Sequence, residues 1–223
     1  GYKSLEELVR WRLHARTGAG LMAELGSHQL DAASILLSAI LGGKAHPLAV
    51  SGVGVNSFFR DGREVEDHIF LTYEFPRDII VTYSSITTNE LESYGEQVMG
   101  TRGTLAILAE RDVYLFKEKA FKDTRITWAE KRIAQPVATS TSTVAWTAAA
   151  GTPDTLASRG YREELEHLAW LIRHPGQGQP RCHGEIALAD AVITLVSNLA
   201  TRQRTRIQFK PEWFDPASDA APA

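Results

Sequence analysis

The strongest constraint on this chain is the alternation in residues 65–75, VEDHIFLTYEF, where Val65, Ile69, Leu71, Tyr73 and Phe75 recur among mostly polar neighbours. A period of two specifies a strand with one apolar face. After a short Pro76-Arg77 turn, residues 78–88 are rich in Ile, Val, Thr and Tyr and read as the hairpin partner. Further short β-prone stretches occur at 48–58, 96–99, 104–108 and 113–116. Strands this closely spaced pair antiparallel, because a parallel crossover needs a dozen or more residues. A sheet with one apolar face needs a cover, and the rest of the chain supplies helices.

Ser4-Leu-Glu-Glu7 is a capping-box pattern that starts a helix expected to reach about Arg16. Thr17 to Gly20 breaks it, and a second helix is expected from Leu21 to Leu41, stopped by Gly42-Gly43. Two more helices follow late in the chain. One carries the stripe Tyr161, Leu165, Leu168 and Ile172, with Glu163, Glu164 and Glu166 near its start. The other, 184–201, is apolar on most faces. Residues 204–209 alternate again as a last strand, and the tail 215–223 is expected to be disordered. Residues 118–157, rich in Thr, Ser and Ala, read as a surface arm or mobile loop, with Trp128 and Trp146 packing parts of it. The expected fold class is α+β (an α/β two-layer arrangement). Residues 1–214 form one domain, an open, mainly antiparallel sheet with four helices on one face. The other face then needs a partner.

A net charge of −3 over 223 residues, with 23% charged, argues against nucleic-acid binding, which calls for a clustered basic face. The longest apolar stretch, Ile186 to Ala200, is interrupted by Asp190 and is too short to span a bilayer, so no membrane partner is expected. The opening GYKSLEELVRWR is charged and amphipathic rather than a signal peptide, and it reads like mid-protein sequence. The compartment therefore stays open, with the cytoplasm as default. Cys182 is the only cysteine, so no intrachain disulfide can form, and it is expected to be a small buried residue.

On the second helix, Glu24, His28, Asp31 and Ile35 follow steps of four, three and four and share one stripe. The adjoining stripe, including Leu21, Met22, Leu25, Leu36, Leu37 and Ile40, is apolar. The polar stripe must look into a cleft or pair internally at a desolvation cost. Gly26 costs up to about 1 kcal/mol relative to Ala inside a helix. It signals close approach by backbone or ligand. A carboxylate one turn from an imidazole can hold it in one tautomer, which suits general acid/base work near neutral pH. A hydrogen-bonded structural histidine is the alternative, but Glu, Gly and Asp around His28 favour catalysis or substrate contact. E-x-x-x-H-x-x-D is not a zinc-protease spacing, so no metal is expected. Arg12 and Arg16, one turn apart before the Gly-rich turn, suit sugar hydroxyls or a cofactor phosphate, or else a solvated helix face. Trp11 suits interdomain packing. Tyr83, Ser85 and Thr87 on one strand face, with Thr82, Ser84 and Thr88 on the other, suit an interface or a cleft wall. His183 is expected to cap the last helix and His68 to lie at a subunit contact.

WRLHARTGAGLMAELGSHQLD resembles the segment that opens the C-terminal domain of the Gfo/Idh/MocA oxidoreductases: a Trp-Arg pair (Trp11-Arg12), a Gly-rich turn (Thr17 to Gly20), then a helix carrying Asp-x-Gly-x-His-x-x-Asp, here Glu24 to Asp31. EVEDHIFLTYEF, VTYSSITTN, YGEQVMGTRGTLAI, YREELEHLAWLIR and RCHGEIALADAV extend the resemblance over nearly the whole chain. It implies a substrate-binding and oligomerisation domain of an NAD- or NADP-dependent enzyme acting on a sugar, inositol or related polyol. Such a domain follows an N-terminal Rossmann domain and forms a homodimer or homotetramer through its open sheet face. By the same resemblance, His28 is the acid/base, acting with a lysine from the first domain. Glu24 stands where the family more often has Asp, and Asp31, Arg12 and Arg16 contact substrate. No G-x-G-x-x-G follows a strand and no Glu-Lys-Pro is present, so the cofactor is expected to sit mainly in a domain that this chain lacks. A redox-assisted, NAD-dependent glycosidase and a non-catalytic binding or assembly module are the alternative readings.

Overall fold

The computed structural model describes residues 2–89, 94–108, 112–118 and 160–222. The chain divides into two compact units, Gly1–Glu90 with Arg181–Ala223, and Leu91–Pro180.

The first unit is built on a four-stranded antiparallel sheet in the order β3-β2-β1-β7, with β1 at Ala49–Val55, β2 at His68–Phe75, β3 at Ile79–Ile86 and β7 at Ile207–Gln208. The register sets Tyr73 opposite both Val50 and Val81. Ile69, Leu71, Tyr73 and Phe75 then point to one side and are almost fully buried. Helices α2 (Ser27–Leu41) and α4 (Gly184–Gln203) cover that side, and Leu30, Leu37, Val192, Ile193 and Val196 complete the core. One polar pair is admitted: the Tyr73 hydroxyl lies 2.7 Å from Ser197 Oγ, which also donates to Ile193 O at 2.6 Å. Burial holds the Tyr73 phenol above its ordinary range. The other sheet face carries Val53, Phe70, Ile80 and Ile86, each 40% exposed or more.

At 20 residues, α4 extends past the Ile186–Ala200 stretch and is long and apolar enough, by composition, to cross a membrane. Half of its most apolar window is buried here, as befits the core helix of a sheet layer. His183 holds its N-cap position, but the imidazole caps nothing; the His183 carbonyl accepts from Ile186 and Ala187 instead. Cys182 is exposed rather than buried, because it lies just before the helix in an open turn.

The first helix is shorter than its pattern suggested. α1 covers only Leu5–Val9, and a 3-10 turn takes over at Trp11–Leu13. The Ser4 hydroxyl accepts from Glu7 N as a capping box requires, whereas the Glu7 carboxylate reaches Lys3 N.

The second unit contains a three-stranded antiparallel meander, β4 (Gly95–Gly100), β5 (Gly103–Leu108) and β6 (Asp112–Lys117), and helix α3 (Tyr161–Arg173). Ala106 and Tyr114 form its small buried cluster. The arm expected at 118–157, with Trp128 and Trp146, lies outside the described residues beyond Glu118.

Candidate functional site

The chain enters α2 through an irregular stretch that sets the site geometry. Thr17 Oγ1 donates to Trp11 O at 2.7 Å, and Gly18 lies so close to Arg12 that a Cβ would meet its carbonyl oxygen at 2.7 Å. Only glycine allows the turn to fold back so tightly. Ala19 and Gly20 both adopt positive φ, 53° and 70°, and reverse the chain into the helix. From β2's leading loop, Glu64 N donates to Leu13 O at 2.8 Å and Glu64 Oε2 accepts from Ala15 N at 3.0 Å, which ties the turn down.

Residues Met22–Gly26 form a π turn, with Ser27 N–H bonded to Met22 O. Single π turns of this kind recur at functional sites. Two buried polar residues of α4 hold the entrance in place. Asn198 Nδ2 donates to Ala19 O at 2.8 Å, and Thr194 Oγ1 donates to Met22 O at 3.4 Å. The close approach expected at Gly26 is made by side chains: an added Cβ would meet Met22 Cε at 2.6 Å and Tyr83 Cε1 at 3.4 Å. Gly26 thus serves the π turn and the core beneath it, and no ligand is needed to explain it. Tyr83 accordingly faces the core, and burial raises its phenol above the ordinary range.

The wider turn interrupts the uniform helical spacing of the polar stripe. Glu24 Oε2 pairs with Arg12 Nε at 3.4 Å, and the Arg12 guanidinium also lies over the Trp11 ring at 4.3 Å. No hydrogen bond joins Glu24 to His28, so the expected tautomer lock is not formed. His28 is exposed one turn further on, and Asp31 is half-buried. Arg16 turns away, its guanidinium bound to Glu7 Oε1 at 2.7 Å. The structure therefore gathers Arg12, Glu24, His28 and Asp31 along the start of α2 and leaves Arg16 outside.

One residue of this neighbourhood was not read as functional from sequence. Asp190, which looked only like an interruption in an apolar helix, feels Asp31, Lys44 and His28 from α2 and the turn after it. Burial first, and then the like charge of Asp31, push its carboxyl up to about 6.

The sequence VNSFFRDGREVEDH holds a second polar cluster. Asp67 is fully buried, and its carboxylate accepts from the amides of Ser57, Phe58 and Phe59 at 3.0, 2.9 and 3.0 Å and pairs with His68 Nδ1 at 2.5 Å. Burial alone would favour the neutral acid, but His68 and the three amides outweigh it and hold Asp67 well below the usual carboxylate range. Ser57 Oγ and Asp67 Oδ1 both contact the same nitrogen, His68 Nδ1, and His68 Nε2 contacts Thr88 Oγ1 at 3.2 Å. A Ser–His–Asp relay needs opposite ring nitrogens, so this cluster is a loop clamp, not a nucleophile site.

Among the described residues no cluster of His, Cys, Asp or Glu could hold a metal ion. A dinucleotide does not fit them either. No described strand runs into a glycine-rich loop that opens a helix, and in the Thr17–Gly20 turn Gly18 is packed against Arg12 backbone.

Comparison with known proteins places this architecture. Residues 2–106 match the family model of the GFO/IDH/MocA C-terminal domain. That match covers 105 of the 223 residues, a little under half of the chain. No curated protein matches the sequence. Among solved structures, the chain is similar to aldose-aldose oxidoreductase from Caulobacter crescentus complexed with glycerol (TM-score 0.59, 19% identity, 90% of this chain and 51% of that one). It is also similar to WlbA dehydrogenase from Bordetella pertussis in complex with NADH and UDP-GlcNAcA (0.58, 15%, 90% and 48%). A third likeness is to levoglucosan dehydrogenase in complex with NADH and levoglucosan (0.57, 15%, 90% and 53%). At these identities the likeness is one of fold, and the chain spans about half the length of each neighbour. The shared fold is the α+β arrangement expected from the strand and helix periods.

Proposed function

We propose that this chain is the substrate-binding half of an NAD(P)-dependent oxidoreductase acting on a sugar or polyol, with His28 as the group that exchanges a proton with the substrate hydroxyl. The observation that carries this reading is the grouping of Arg12, Glu24, His28 and Asp31 at a π turn pinned from beneath by Thr194 and Asn198. An exposed imidazole on a helix is open to a substrate, and imidazole is the side-chain type that serves proton exchange near neutral pH. The Arg12–Glu24 pair adds donors and acceptors one turn away, in the alternating pattern that vicinal hydroxyls require. Arg16 is occupied by Glu7, so substrate contact is assigned to Arg12, Glu24 and Asp31. The nicotinamide cofactor belongs to a separate Rossmann domain. Two neighbours in complex with NADH, one with UDP-GlcNAcA and one with levoglucosan, and a third in complex with glycerol support this reading.

The test is turnover by the full-length protein with NAD or NADP across a panel of free sugars, inositols and aryl glycosides, following net NAD(P)H. His28→Ala should cut turnover by about 100-fold or more without unfolding the domain. Near-normal turnover would remove His28 from the chemistry, and glycoside cleavage without net reduction would favour a redox-assisted glycosidase.

The open sheet face is proposed as the oligomer interface. Val53, Phe70, Ile80 and Ile86 give it an apolar surface of the kind that marks association sites. Phe70→Lys should convert a sedimenting dimer or tetramer to monomer, and a wild-type monomer at micromolar concentration would dismiss the interface.

A further inference from the structure

Helix α4 is made for burial, and Asp190 does not suit that purpose. Ala189, Val192, Ile193, Val196 and Ala200 on the same helix are each 5% exposed or less. A carboxylate is retained in such surroundings only if it is paired or serves a function. Asp190 is half-buried, and among the described residues no hydrogen bond or close ion pair reaches its carboxyl.

The groups acting on it come from α2 and the turn that follows. They are Asp31 and His28 on the helix, and Lys44, whose ammonium is held 3.4 Å from Glu185 O at the start of α4. Among the described residues, the other elements packed on α4 bring no further unpaired charge toward it. β1 and β7 carry no ionisable side chain, Glu24 of the π turn is paired with Arg12, and Glu74 of β2 is paired with Arg206. His68 of β2 is bound to Asp67, and Glu212 of the Pro211–Phe214 turn is exposed. Lys44 at Glu185 O and Thr194 at Met22 O, both at 3.4 Å, bracket Asp190 on α4 and set it against α2, which packs on that helix.

We propose that Asp190 is a positioning residue of the acid/base site, its carboxyl setting, across the packing of α4 on α2, the charge balance in which His28 and Asp31 work. The inference rests on the reading of His28 given above. Two carboxyls that share a neighbourhood cannot both ionise freely, so Asp190 keeps its proton to about pH 6, and above that its charge adds to the field in which His28 works. The raised affinity of Asp190 for its proton agrees with this arrangement. A purely structural role would be met as well by an apolar residue or by Asn.

The experiment has two parts. In this chain, the Asp190 carboxyl carbon is followed by NMR against pH, in wild type and in Asp31→Asn. The expected midpoint lies near 6 and falls when Asp31 is neutralised. In the full-length enzyme, kcat/KM is measured against pH for wild type, Asp190→Asn, Asp190→Glu and His28→Ala. Asp190→Asn should lower kcat about tenfold with KM little changed and displace the acid limb of the profile, and Asp190→Glu should restore most of it. A carboxyl that titrates in the ordinary aspartate range, or a midpoint indifferent to Asp31→Asn, would overturn the inference. So would an unchanged pH profile in Asp190→Asn where His28→Ala disables the enzyme. Normal turnover in His28→Ala would instead overturn the acid/base reading.

Discussion

Asp67 and Asp190 are the same side chain in opposite circumstances. Asp67 is fully buried yet answered by three backbone amides and an imidazole, and its carboxyl is held below the usual range. Asp190 is less buried, faces the like charge of Asp31, and is pushed up to about 6. The difference lies in the partners, not in depth. A carboxylate that accepts every donor offered fixes a loop, whereas one left in conflict with its neighbours is a stability cost that only function justifies. The loop from Asn56 to Glu66 is accordingly a structural device, whereas the α2–α4 packing around Asp190 is where the proposed acid/base site lies.

The largest effect should come from the satisfied carboxylate. Asp67→Ala leaves three partly buried amides and the His68 imidazole without their buried acceptor and should lower the unfolding free energy by about 3–5 kcal/mol in chemical denaturation. Because Asp67 is held below its ordinary range, its contribution is complete at neutral pH and is lost as pH falls below about 4. A loss of less than about 1 kcal/mol would remove the contrast, since a clamp that costs so little to break is no clamp.

Asn198→Ala tests the support beneath the site. It removes the bond to Ala19 O and should cost about 1–2 kcal/mol, with a fall in turnover because the turn that brings Arg12 to Glu24 loosens. An Asn198→Ala enzyme with unchanged turnover would show that the turn holds Arg12 in place without help from α4.

The smallest effect has the opposite sign. Folded Asp190 keeps its proton to about pH 6, whereas an unfolded aspartate releases it near 3.9. The fold therefore loses stability through this group as pH rises from about 4 to 6. Asp190→Asn removes that loss. After discounting for the solvent that reaches a half-buried group, it should stabilise the domain by on the order of 1 kcal/mol above pH 6 and by nothing near pH 4. Denaturation curves at both pH values give the comparison directly.

Much of this architecture is legible in the amino-acid order. The β2–β3 hairpin follows from strict alternation between Ile69 and Phe75, and α4 from an apolar run that no other layer could cover. Gly42 at φ 80° stops α2 where the Gly-Gly pair suggested. What escaped is what periodicity cannot register. A π turn adds one residue without changing composition, so the Glu24–His28 spacing looked like a paired turn while Glu24 in fact reaches back to Arg12. Gly26 looked like a sign of something arriving from outside because Met22's own side chain is invisible to a linear reading. α1 stops at Val9 although its cap and amphipathic pattern run on, because the chain must double back at Gly18 to meet Arg12. Asp190 was readable only as a break in an apolar run, since its conflict with Asp31 is a contact between distant parts of the chain.

The most direct measurement is a paired determination, on Asp190→Asn at pH 7.5, of unfolding free energy for this chain and of kcat/KM for the full-length enzyme. The predicted result is a domain more stable than wild type by on the order of 1 kcal/mol and an enzyme about tenfold slower. A variant that is less stable, or one that is stabilised without any loss of turnover, would contradict the assignment of Asp190 to the working half of the comparison.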